Sequence, residues 1–139
     1  MFKSAQQVIE EFKAHDVKFQ VREEAEVTIL TVGVSGQDSN YELALIFRSD
    51  NSDFALRVPR LVKVPQSRRE ALLSTVNRLN ARYRFVKFVL DEKVGVVLEW
   101  DCPARADNPG QLAHELLIRT VSIIDDAYPI LMKAIWGEA

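Results

Sequence analysis

The residue types that most often carry chemistry are sparse in this chain, and their spacing does not gather them. Of the two histidines, His15 sits beside Asp16 where a helix gives way to a strand, a position that suits a loop or a helix C-cap. His114 is followed by Glu115, but sequence neighbours on a helix point about 100° apart, and there is no second His at four-residue spacing. Neither a helical metal pair nor an acid–base couple is therefore expected. The doublet Asp125-Asp126 could hold a cation or act as acid and base, but adjacent carboxylates on a helix diverge, so it reads as a solvated face. Gly33-x-x-Gly36 lacks the lysine loop and following helix of a phosphate cradle and reads as turn chemistry. The single cysteine, Cys102, can form neither an internal disulfide nor a cysteine zinc cage, and reads as a passive thiol at a strand end. The expectation is a chain with no catalytic, cofactor-binding or metal-binding residues, and so not an enzyme.

Charge is less even than the overall −2 suggests. Residues 57 to 87 hold Arg57, Arg60, Lys63, Arg68, Arg69, Arg78, Arg82, Arg84 and Lys87 against the single acid Glu70, a net +8, so the remainder carries −10. If those side chains share a surface, the protein is electrically two-sided and offers a candidate basic face to an anionic ligand, a nucleic acid or an acidic protein surface. Tyr83 and Phe85 lie among the arginines, but strand alternation sends at least one ring inward, and the negative total charge disfavours nucleic acid relative to a protein partner.

The elements that must position these residues follow from periodicity. At 139 residues, 47% apolar and 27% charged, the chain suits one globular domain over 1–139. Ser4 with Gln7 forms a capping-box pattern ahead of Ala5, Val8, Ile9 and Phe12, which predicts a helix over 4–14. Val17, Phe19 and Val21 then alternate with polar residues as a short strand. Residues 27–34 are β-branched at both parities, as in a strand covered on both sides, and a turn over 36–40 leads to a partner strand over 41–48. A fourth strand starts at Phe54 and is expected to be an edge, or to bend, at Pro59 before continuing through Leu61 to Val64. Ser67 and Glu70 form a second capping box before a helix whose stripe is Leu72, Leu73, Val76 and Leu79. Residues 84–90 and 94–100 form a hairpin around Asp91-Glu92-Lys93. Asn108 and Pro109 open a long last helix running toward Trp136, with a kink or break expected at Pro129.

The fold class is α+β, a single antiparallel sheet with helices in the order α-β-β-β-β-α-β-β-α. No apolar run approaches the roughly 20 residues of a membrane span. The opening Met1-Phe2-Lys3-Ser4 leads into polar Gln6, Gln7, Glu10 and Glu11, without the apolar core of a signal peptide, so a soluble cytoplasmic protein is expected. In the middle helix Asn77 and Asn80 fall on one side of the helix end, where their amides could cap carbonyls or tie the helix to a neighbouring strand.

The element order, with Asn77-Arg78-Leu79-Asn80 closing the middle helix and Arg84-Phe85-Val86-Lys87-Phe88-Val89-Leu90-Asp91 following it, resembles the YbjN-like domains of bacteria over most of the chain. The resemblance implies a fold similar to the type III secretion chaperones, which often form dimers that hold an extended partner segment, although this chain has four strands rather than three before the middle helix. The function it implies is a chaperone-like or regulatory protein-binding module with an unidentified protein or peptide partner. On the last helix, Leu117, Val121, Ile124, Tyr128, Leu131 and Ile135 form one apolar line, and Leu112, Leu116, Ile123, Ala127 and Ile130 form a second about 120° away. That face is wider than one sheet contact needs, so the second line is a candidate dimer or partner seam and a homodimer is expected; the competing reading wedges the helix deeper between the sheet and the first helix.

Overall fold

Alternation of inward and outward side chains resolves into six strands of one antiparallel sheet. The computed structural model describes residues 1–137. In chain order the elements are α1 (Lys3–Ala14), β1 (Gln20–Glu24), β2 (Val27–Ser35), β3 (Asn40–Phe47), β4 (Asp53–Val62), a 3-10 turn (Gln66–Arg68), α2 (Arg69–Arg82), β5 (Lys87–Asp91), β6 (Gly95–Pro103) and α3 (Pro109–Trp136). The strands lie in the order β1-β2-β3-β4-β6-β5, so β4 is interior and the two edges are β1 and β5. The α+β class and the element order are those the periodicity predicts.

One face of the sheet holds the core. Leu30, Leu45, Leu56 and Trp100 form a single cross-strand row on it, with Phe47, Phe54, Phe88 and Leu98 in neighbouring rows, and all are buried. The three helices cover this face. Trp100 Nε1 donates to Thr120 Oγ1 at 2.9 Å, and Thr120 Oγ1 donates to the Leu116 carbonyl at 2.7 Å, so the polar handle of the buried indole is satisfied from α3.

Several local expectations are corrected. The capping box at Ser4 does not form: α1 has no cap from its own side chains, and Ser4 is buried. Its cap comes instead from the β3–β4 turn, where Asp50 accepts from the Lys3 and Ser4 amides (3.0 and 2.9 Å) and from Ser4 Oγ (2.8 Å). The first strand lies at 20–24 rather than 17–21, because its register is set by pairing with β2 from Gln20↔Thr31 to Glu24↔Val27. At Ser67 the 3-10 turn precedes α2, whose N-cap is Arg68 without a side-chain cap. Leu73 is 58% exposed and Thr75 is buried in its stead. The helix buries Leu72, Thr75, Val76 and Leu79, and Leu73 lies about 100° round from Leu72.

Pro59 does not mark an edge. β4 shifts register between Val58 and Val62, which removes the proline from the ladder in an interior strand. Opposite that bulge Gly95 has φ +102, and a Cβ there would overlap the Val62 carbonyl oxygen. The expected hairpin is present with Phe88 opposite Leu98, and Asp91 Oδ1 closes its turn by accepting from the Lys93 and Val94 amides. Asn108 Oδ1 caps α3 by accepting from the Gln111 amide at 3.1 Å, with Pro109 in the first turn. α3 then runs unbroken through Pro129, contrary to a break there. The ring is exposed, so water can satisfy the carbonyl that loses its amide.

α3 lies between its two neighbours on the sheet. α1 flanks one side, where His114 meets His15, and α2 flanks the other, where Arg82 and Tyr83 reach Asp126. Three contact directions account for much of its wide apolar face.

Candidate functional site

Residues one step along each strand from the core rows point to the opposite face, which no helix among the described residues covers. One outward row runs Arg22, Ile29, Ile46, Ala55, Asp101, and the next runs Gln20, Thr31, Ala44, Arg57, Glu99, Lys87. Residues 27–34 thus carry β-branched side chains at both parities without being covered on both sides. Ile29, Thr31, Ala44, Ile46 and Ala55 are only half-buried. A depression of about 370 Å³ on this face is bordered by Arg22, Ile29, Thr31, Ala44, Ile46 and Pro59. A larger concavity of about 950 Å³ continues past Arg57, Arg60, Val97 and Glu99.

The other half of this face is an ion-pair ladder. Arg57 Nε lies 3.4 Å from Glu99 and Nη2 lies 3.0 Å from Asp101, while Nη1 donates to the Leu56 and Trp100 carbonyls at 2.8 and 3.0 Å. Lys87 Nζ approaches Glu99 from the next strand at 3.0 Å. With its guanidinium so engaged, Arg57 orders the face rather than waiting for an anion. The combination, an apolar patch on ordered strands beside fixed charges of both signs, suits contact with another polypeptide.

The candidate basic face is dispersed. Arg57 and Lys87 belong to the outer sheet face and are paired with acids, and Arg82 Nη2 is 3.2 Å from Asp126. Arg69 and Arg78 are nine residues apart on α2, about half a turn round the helix. Arg60 borders the same concavity as Arg57. Lys63, Arg68 and Arg84 are exposed on the strand–helix connections. Of the candidate seam, Leu116 and Ala127 are buried within the fold, whereas Leu112, Ile123 and Ile130 are half-buried on the flank of α3.

The residues considered for chemistry have structural partners. Asp125 and Asp126 diverge as expected, but they are not simply solvated. Asp125 Oδ1 accepts from the Gln37 amide at 2.9 Å in the β2–β3 turn, and Asp126 accepts from the Tyr83 hydroxyl. Burial, then that carboxylate, pushes the Tyr83 hydroxyl up to about 12. Burial, with the Asp53 charge behind it, raises the Cys102 thiol to about 11, far from a reactive thiolate. Asn80 clamps the backbone of Phe88, with Nδ2 donating to its carbonyl at 3.0 Å and Oδ1 accepting from its amide at 2.7 Å. His15 and His114 are 99 positions apart, and no local pattern relates them; in the fold their rings are stacked with centroids 3.8 Å apart. Among the described residues no three His, Cys, Asp or Glu side chains are grouped to hold a metal ion, and no helix is long and apolar enough to cross a membrane.

Comparison with known families places this architecture. The profile described as "YbjN: Putative bacterial sensory transduction regulator" matches residues 4–129. The chain belongs to the YbjN family. The match spans all six strands of this YbjN domain and α1, α2 and most of α3, including both faces of the sheet. No curated protein and no solved structure matches the chain.

Proposed function

We propose that this YbjN domain is a non-enzymatic protein-binding module of regulatory or chaperone-like type that receives its partner on the outer face of the sheet. The observation that carries the reading is the uncovered row Ile29, Ile46, Ala55, apolar on ordered strands and bordered by the Arg57–Glu99–Lys87 ladder. Apolar side chains held half-exposed by paired backbones are pre-ordered, so a partner that covers them meets little entropic cost on this side of the interface. The family description as a regulator supports the same reading. Self-association belongs to it as well, through the part of the α3 flank that the fold leaves open, Leu112, Ile123 and Ile130.

Site-specific photo-crosslinking in the native host tests the partner face. A crosslinking residue in place of Ala44, on the outer face, should capture a defined polypeptide, and one in place of exposed Leu73 on α2 should not. Capture at both positions alike, or at Leu73 alone, overturns the assignment. Light scattering tests the second part: a dimer at micromolar concentration that Ile123→Glu converts to a folded monomer is expected, and a monomeric wild type removes self-association from the reading.

A further inference from the structure

α1 and α3 cross so closely that Gly110 has no room for a side chain, since a Cβ there would overlap the Gln7 carbonyl oxygen. About one turn further along α3 the two helices meet through imidazoles. His15, the C-cap of α1, and His114 of α3 stack with centroids 3.8 Å apart and planes 13° from parallel. Glu11 Oε1 lies 3.0 Å from His15 Nε2. The groups that act on His114 across the crossing are thus one imidazole and one carboxylate, both from α1. On α3 itself the adjacent Glu115 is engaged by Arg119 at 3.2 Å.

We propose that the His15–His114 stack is a proton-sensitive latch: it holds the carboxyl-terminal half of α1 against α3 while at least one ring is neutral, and loosens when both are protonated. The proposal goes beyond the protein-binding reading and does not depend on it. Neutral imidazole faces stack without charge conflict, and Glu11 can balance one positive ring. A second positive ring at this separation adds a like charge in contact, with no second carboxylate acting on it. Burial of His114, then the neighbouring His15, lowers its proton affinity from the ordinary 6.5, against a smaller opposing pull from Glu11. A group with a depressed histidine pKa is protonated first in the undocked state, so docking is at full strength above about pH 6.5 and weakens as pH falls below it. The other end of α1 stays anchored, because Asp50 caps Lys3 and Ser4 and Ala5 and Val8 are buried. The result is local loosening rather than unfolding.

Amide hydrogen exchange at about pH 7.5 and about pH 5, corrected for intrinsic rates, tests the latch. In the wild type, protection of residues 9–15 relative to β3 should fall about tenfold at the lower pH. His114→Phe, which keeps a stacked ring without the second charge, should abolish that difference, as should His15→Gln at its exposed position. In His15→Gln the titration midpoint of His114, followed by nuclear magnetic resonance, should rise, because the neighbouring imidazole that lowers it is gone. An unchanged wild type, or the same tenfold loss in His15→Gln and His114→Phe, overturns the proposal. Should His114→Phe fail to fold, the His15→Gln comparison decides alone.

Discussion

The two faces of the sheet are built from the same strands and differ in what covers them. The inward row Leu30, Leu45, Leu56, Trp100 is buried beneath the helices, while the outward row Ile29, Ile46, Ala55, Asp101, one residue along each strand, faces no helix among the described residues. Apolar character alone therefore does not distinguish core from uncovered surface. What distinguishes them is whether a second layer reaches them, and all three helices are spent on one side. Inward residues are fixed by close packing, whereas outward ones are held by their backbones and the ion-pair ladder.

The comparison is tested most severely by Phe54, fully buried between Phe47 and Trp100 with ring centroids at 5.0 and 6.1 Å. Phe54→Ala should lower unfolding free energy by about 3–5 kcal/mol in a urea titration. Ile46→Ala, on the other face, should cost no more than about 1 kcal/mol. Equal costs would erase the distinction between the faces. Next in size, Thr120→Val strands the buried Trp100 indole N–H and should cost about 1–3 kcal/mol, with altered tryptophan fluorescence.

A smaller effect is expected from Asp50→Asn, which weakens the cap on α1. The Ser4 amide first, then the Lys3 amide and the Ser4 hydroxyl, hold the Asp50 carboxyl below its ordinary 3.8 against a contribution from burial. Its stabilisation is present above that ordinary value and is lost as pH falls through the lowered one. The wild-type advantage over Asp50→Asn should accordingly be constant near neutrality and vanish in acid; an advantage that persists in acid would mean that the carboxylate charge is not what caps the helix. The smallest change belongs to Leu73→Ala, which should stay within about 0.5 kcal/mol because the side chain is exposed.

Leu73 also shows where the sequence could be read and where it could not. Period-two and period-3.6 patterns gave the number and order of the strands and helices where an apolar face meets the core, but β1, exposed along its whole length, lies three residues later than its alternation suggested. They did not decide between Leu73 and Thr75, which lie on opposite flanks of Leu72, about 100° to one side and about 60° to the other; which flank meets the core is set by how α2 docks on the sheet. Local capping boxes at Ser4 and Ser67 were misleading because α1 takes its cap from Asp50, 46 residues from Ser4, and a 3-10 turn replaces the second. The outer face was visible as β-branched residues at both parities in 27–34, yet that pattern equally fits a strand covered twice. The row joining Ile29 to Ile46 and Ala55 depends on pairing register, which no single segment encodes. The His15–His114 contact likewise exists only after α1 and α3 have docked.

The clamp from Asn80 to Phe88 has a consequence for assembly. By occupying both the amide and the carbonyl of one residue, a side-chain amide stands where a neighbouring strand would bind and closes β5 to further pairing. Among the described residues β1 is the one edge left open, and it is short, exposed along its whole length and charged at Arg22, Glu23 and Glu24. A sheet that accepts strands on one side alone cannot template an endless ribbon: two copies meeting edge to edge would exhaust both open sides, and growth would stop at a pair.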